Sequence, residues 1–106
     1  MGISKTVGYT ETQQRMAELA KAFSHPARIA ILQELIQQKT CICGDLVEVL
    51  PLSQSTVSQH LKELRAVGII TGEIEGPKTC YCINPEVWQE AQQAFGLLWE
   101  DYKRCC

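Results

Sequence analysis

No stretch of this 106-residue chain approaches the ~18 consecutive apolar residues that a helix needs to span a bilayer. Its first residues, MGISKTVGYTE, contain no apolar segment of the signal-peptide kind, so a cytoplasmic protein with no membrane partner is expected. A glycine-rich phosphate loop is missing as well. The only histidines are His25 and His60, and with the carboxylates they compose no evident catalytic set, which argues against an enzyme and against an organic cofactor. Repeats, low-complexity tracts and linker-like segments are also lacking, so residues 1–106 read as one domain. Nor is there a strong charge of either sign. Ten Lys and Arg against twelve Asp and Glu leave a net charge of -2, so a nucleic-acid partner has to be argued from local features. What the chain does have is six cysteines. In a secreted domain of this size they would suggest a disulfide framework, whereas in a reducing cytosol clustered thiols bind metal or sense redox state.

Hydrophobic periodicity organises the rest into a mainly α chain. About residues 10–24, Met16, Leu19, Ala20 and Phe23 recur at helical spacing. SHP then interrupts: Ser24 or His25 can cap a second helix that has Pro26 in its first turn. In that helix Ile29, Leu32 and Ile36 form the expected apolar stripe, widened by Ile31 and Leu35. A short helical pattern follows in GDLVEVL, with Leu46, Val49 and Leu50 on one face, and Pro51-Leu52 ends it. Ser53 is a good N-cap for SQSTVSQHLKELRAVG, where Val57, Leu61 and Leu64 align and Gly68 terminates the helix. Residues 44–67 thereby read as a helix-turn-helix. Beyond Gly68 the period changes. IITGEIE and TCYCIN, joined by Gly76-Pro77-Lys78, read as a hairpin over residues 69–84. Asn84-Pro85 opens a last helix, about residues 85–103, carrying Trp88, Ala91, Phe95, Leu98, Trp99 and Tyr102. The fold class is a winged helix-turn-helix: about five helices with a small β-hairpin wing.

In that arrangement the second helix of the pair enters the major groove. Gln54, Ser55, Ser58, Gln59 and Lys62 project away from its buried stripe; Gln pairs with adenine, Ser with several base edges, and Lys62 or Arg65 with guanine or phosphate. Lys78 at the wing tip would touch backbone or minor groove. The bland alternative is a solvated helix face in some other helical domain. Charge does not separate the two, because Lys62, Arg65 and Lys78 are matched by Glu63, Glu73 and Glu75. His60 precedes a buried leucine, so it either contacts DNA or braces the helix.

The segments FSHPARIAILQEL, LSQSTVSQHLKELRAVGII and the wing ending in YCI closely resemble the ArsR/SmtB family of winged-helix repressors, over about residues 14–84. The resemblance implies a homodimer on a palindromic double-stranded DNA operator, released by an inducer. It also implies that Gln54, Ser55, Ser58, Gln59 and His60 read the operator. The last helix has a broader apolar stripe than a small domain needs, and a two-fold dimer through residues 10–24 and 85–103 would bury it. Such a dimer sets its two reading helices roughly 34 Å apart, one turn of the duplex.

Residues two apart on a helix diverge, whereas on a strand they share a face. In winged helices the segment before the helix-turn-helix often pairs with the second hairpin strand, which would lay Cys41-Ile42-Cys43 beside Cys80-Tyr81-Cys82. If Ile42, Tyr81 and Ile83 face the core, Cys41, Cys43, Cys80 and Cys82 all fall on the opposite side. Four soft thiolates there would select zinc, cadmium or copper(I). The family resemblance adds arsenite, antimonite and lead as inducers. Metal-sensing relatives carry CVCDL at this helix start; here the sequence is CICGDL, one residue longer, with Leu46 where some carry a third cysteine. Cys105 and Cys106 are possible extra ligands. The family's other metal site, in the last helix, needs histidine, and none follows His60. Two further readings stay open: thiol redox or persulfide sensing on the same fold, and a thiol-rich metal carrier with no DNA role.

Overall fold

The computed structural model describes residues 8–39, 41–43, 50–73 and 80–105, all but the Glu73 side chain. In chain order these form α1 (Glu11–Lys21), α2 (Pro26–Gln38), β1 (Ile42–Cys43), α3 (Gln54–Val67), β2 (Ile70–Glu73), β3 (Cys80–Ile83) and α4 (Pro85–Cys105). The three strands make one antiparallel sheet in the order β1-β3-β2. This is the expected winged helix-turn-helix. Four helices are described; the further one expected at GDLVEVL, and the wing tip with Lys78, lie outside the described residues.

Local chemistry explains where each helix begins. The Thr10 hydroxyl accepts from the Gln13 amide at 3.0 Å while the Gln13 side chain accepts from the Thr10 amide at 3.0 Å, a capping box for α1. His25, not Ser24, caps α2: its Nδ1 accepts from the Ala27 amide at 3.0 Å, and Pro26 follows with no N–H to leave unpaired. Ser53 accepts from the Thr56 amide to start α3, which Gly68 ends in the left-handed conformation at φ 96°. The Asn84 side chain accepts from the Glu86 and Val87 amides at the start of α4.

The core lies where α1, α2 and α3 meet the inner face of the sheet. Leu19, Ile31, Leu64, Ile69, Ile70 and Tyr81 are its largest fully buried side chains. The stripe of α2 differs from the expected one: Ala27, Ile31, Leu32 and Leu35 are buried, while Ile29 and Ile36 stand 40% and 49% exposed. Two overlapping apolar rows existed in this helix, and the i, i+4 row Ala27-Ile31-Leu35 faces α3 and the sheet. Only the first half of α4 joins the core, through buried Ala91 and half-buried Trp88 and Phe95. Its second half leaves Leu97, Trp99 and Tyr102 at least 63% exposed.

Arg15 ties three helices together. It bonds both Glu90 oxygens of α4 at 2.8 and 3.0 Å, pairs with Glu18, and donates to the Val67 carbonyl at the end of α3 at 3.3 Å. The same bonds hold the Glu90 carboxyl below the usual carboxylate range.

Gly72 is the tightest point of the sheet. It pairs with Tyr81, has φ 119°, and a Cβ there would run into the Cys80 carbonyl and lie 2.8 Å from the Tyr81 Cα. Relief would require the backbone of β3 to move. Gly72→Ala is expected to cost about 2–4 kcal/mol and to lower the thermal midpoint by roughly 10 °C or more. A midpoint within ~2 °C of the parent in a calorimetric scan would contradict that reading.

Candidate nucleic-acid interface and cysteine-bearing sheet

At 3.6 residues per turn, Gln54, Ser55, Ser58, Gln59, Lys62 and Arg65 fall within roughly 140° of the α3 surface, and Val57, Leu61 and Leu64 within a separate, adjoining arc of roughly 60°. Burial agrees. Gln54, Ser55, Gln59, Lys62 and Arg65 are exposed and Ser58 is half-buried, while the three apolar residues are buried. Serine hydroxyls at the helix start are already ordered, with Ser53 Oγ 3.2 Å from Ser55 Oγ and 2.9 Å from Thr56 Oγ1. Arg65 is held against the sheet, its guanidinium donating to the Gly72 carbonyl at 3.2 Å. The structure therefore brings six of the eight expected DNA-reading residues onto one polar face. Lys78 lies outside the described residues.

His60 does not share that face. It is 9% exposed, with its Nδ1 accepting from Arg28 Nε at 3.1 Å and its ring 4.6 Å from that of His25. Its place in the turn puts it beside the buried stripe, where it braces α3 against α2. Arg28 completes the bracing by donating to the Lys21 carbonyl at 2.6 Å. Sequence reasoning missed both Arg28 and Arg15. Their partners lie 32 and 75 residues away, and no local spacing signals such a bond.

The cysteines are arranged as the strand parity requires. β1 pairs with β3 so that Ile42 faces Tyr81 and Cys43 faces Cys80. Tyr81 is 1% exposed and Ile42 packs on the core, which turns Cys41, Cys43, Cys80 and Cys82 to the other face. Opposite residues are close enough to bond directly: the structure contains disulfides Cys41–Cys82 and Cys43–Cys80, with Cα separations of 4.3 and 4.0 Å. Cys41 and Cys43 are exposed and their partners half-buried. With the sulfurs so joined, no group of three or more His, Cys, Asp or Glu among the described residues is set to hold a metal ion. Cys105 is exposed at the far end of α4, its thiol donating to the Tyr102 carbonyl; Cys106 lies outside the described residues.

A link joins this face to α3. In the β2–β3 pair, Thr71 faces Cys82 and Glu73 faces Cys80. Gly72 lies between them, and its carbonyl is the acceptor for Arg65 of α3.

Comparison with known proteins gives a consistent result. A family model described as "Bacterial regulatory protein, arsR family" matches residues 25–71. An arsenical resistance operon repressor of Bacillus subtilis is 36% identical over 98 residues, covering 92% of this chain and 85% of that protein. The HTH-type transcriptional repressor SmtB of Mycobacterium tuberculosis is 44% identical over 64 residues, 60% of this chain; the match spans about half of that relative, 47% of its length. Among solved structures, an ArsR-like transcriptional regulator from Rhodococcus sp. RHA1 superposes with a TM-score of 0.71 at 21% identity, over 90% of this chain and 89% of that one, a likeness of fold.

The His60 environment carries a pH dependence. Burial is the first cause lowering its pKa from 6.5, followed by the charges of His25 and Arg28, with Glu63 opposing. The unfolded chain then takes up a proton before the folded one does. Stability is full above about pH 6.5 and declines as pH falls from there through the lower folded-state value. Urea unfolding at pH 7.5 and 5.5 is expected to show this loss, and His60→Asn, which keeps an acceptor for Arg28 but does not titrate, to flatten it. An unchanged pH slope in the variant would exclude His60 as its source.

Proposed function

Because the chain belongs to the ArsR family of bacterial regulatory proteins, we propose that it is a transcriptional repressor whose operator affinity is set by the chemistry of its four sheet cysteines. The family consists of DNA-binding regulators rather than enzymes. In this reading two copies pair through α1 and α4 on a palindromic operator in the cytoplasm. Gln54, Ser55, Ser58, Gln59, Lys62 and Arg65 meet the major groove, and Lys78 of the wing meets the backbone. No described helix is long and apolar enough to cross a membrane.

The observation that carries the proposal is the facing of Cys41, just before β1, and Cys43 of β1 with Cys82 and Cys80 of β3, one strand away from the carbonyl that anchors Arg65. Reduction of the two disulfides, whose Cα atoms are 4.3 and 4.0 Å apart when bonded, would leave four soft donors on one face. That donor set fits a thiophilic ion: arsenite or antimonite first, then cadmium, zinc or lead. A relative named as an arsenical resistance operon repressor supports the metalloid class. An ion held there would supply the differential contact that favours the DNA-free state. The protein's part is to draw β1 and β3 together, shift the pairing of Cys80 and Cys82 with β2, and so move the Gly72 carbonyl under Arg65.

A second reading is favoured by the disulfides themselves. Oxidation of the two facing pairs fastens β1 to β3 without any ion, so the same lever would answer to the thiol–disulfide balance.

Gel-shift titration on the DNA upstream of the chain's own gene tests both readings. Reduced protein is expected to bind it specifically, and Gln59→Ala to weaken specific binding by about 1–3 kcal/mol while leaving non-specific binding in place. Saturating arsenite or cadmium should release reduced protein. Oxidation should do the same only if the disulfide reading holds. By linkage, operator DNA must weaken ion binding by the same factor as the ion weakens DNA binding. No sequence-specific shift would leave a metal carrier. A shift that ignores ions and oxidant alike would remove the sensing role.

A further inference from the structure

The two disulfides are nearly equivalent in their own strands, each with one exposed and one half-buried cysteine. Their surroundings are not equivalent. Cys41 and Cys82 line a cleft of about 190 Å³ together with Leu35, Lys39 and Ile83, and the Cys43–Cys80 pair does not border it. Lys39 caps the C-terminal end of α2 in the left-handed conformation, φ 61°, and is the cationic residue among those lining the cleft. Leu35 and Ile83 make the rest of the wall apolar.

The geometry points to the Cys41–Cys82 cleft as the place where a small anionic thiol attacks this protein. Thiol–disulfide exchange proceeds through a thiolate, so a cationic residue lining the same cleft raises the local concentration of an anionic nucleophile and favours the thiolate that leaves. The cleft is smaller than the ~300 Å³ at the lower end of drug-sized sites, which suits a thiol of a few heavy atoms carrying a carboxylate. The thiolate attacks the more exposed Cys41 sulfur. An S–S bond forms between it and Cys41, the Cys41–Cys82 bond breaks, and its electron pair leaves on Cys82. A second thiolate then attacks the bound thiol's sulfur, releasing the small-molecule disulfide and the Cys41 thiolate. Two thiols are oxidised and one protein disulfide is reduced. This inference rests on the disulfide reading of the function and names the bond through which that switch is opened.

The test uses the full chain, oxidised, and three small thiols compared at equal thiolate concentration: anionic 3-mercaptopropionate, neutral 2-mercaptoethanol and cationic cysteamine. Samples are quenched, alkylated and sequenced by tandem mass spectrometry to locate the first cysteines released. Cys41 and Cys82 are expected first, with 3-mercaptopropionate about fivefold faster than 2-mercaptoethanol, the size of one exposed charge pair. Cysteamine should be the slowest. Lys39→Gln should abolish the anionic preference and Lys39→Arg should retain it. The idea is overturned if Cys43 and Cys80 open first or together with the other pair, if Lys39→Gln keeps the preference, or if oxidised protein lacks a Cys41–Cys82 bond. The gel shift separates this from the regulatory reading. Equal operator affinity of oxidised and reduced protein would end the switch, while the order of bond opening would still identify the cleft.

Discussion

β1 meets β3 with Ile42 opposite Tyr81, and Tyr81 is almost wholly removed from water. Side chains alternate along a strand, so this one pairing dictates the position of every neighbour. A slip by one residue would bring the Tyr81 ring to the surface and carry cysteines into the core. Re-exposing a buried aromatic of this size costs about 1.5–3 kcal/mol before any lost packing is counted. The register therefore holds, and the four cysteines must lie together on the outer face. Gly72 depends on the same strand. It is the residue that faces Tyr81 from β2, and its lack of a Cβ lets the third strand come close enough to pair.

The α3 helix is positioned by arginines as much as by its apolar stripe. Arg28 of α2 holds it through His60, Arg15 of α1 holds its last carbonyl, and its own Arg65 reaches the β2 backbone. Each bond spans two elements, so the orientation of α3 reports on α1, α2 and the sheet together. Arg15 also bonds α4, which connects the helix end to the helix pair proposed for dimerisation. A ligand can shift such an arrangement only by binding one geometry better than another. The proposed sensing assigns that role to the cysteine face, where joining or bridging the sulfurs would favour one spacing of β1 and β3.

Apolar surface is distributed unevenly along α4. Trp88, Ala91 and Phe95 serve the domain's own core, while Leu97, Leu98, Trp99 and Tyr102 extend past it. A domain of about 100 residues buries only part of its apolar surface, and the proposed pairing of two copies would cover the stripe that continues beyond the core. Together with the Arg15–Glu90 bond, this makes α1 and α4 one continuous unit.

Much of the architecture was legible in the sequence because it rests on local chemistry. Ser53 and Gly68 bounded α3, Asn84 opened the last helix, and the Val57-Leu61-Leu64 spacing left Gln54, Ser55, Ser58, Gln59, Lys62 and Arg65 outward. Strand parity likewise put Cys41, Cys43, Cys80 and Cys82 on one face once β1 was set beside β3. Tertiary packing decided the rest. The α2 helix carried two overlapping apolar rows, and contact with α3 and the sheet selected Ala27, Ile31 and Leu35 over Ile29 and Ile36. His60 stood among residues that face outward, yet its turn of the helix placed it against Arg28 and His25. The cleft that distinguishes Cys41–Cys82 from Cys43–Cys80 is formed by Leu35, Lys39 and Ile83, from two elements apart in the chain. Caps and periodicity act over a few residues and can be read in order, whereas the choice between equivalent faces or thiols is made by neighbours that only folding brings near.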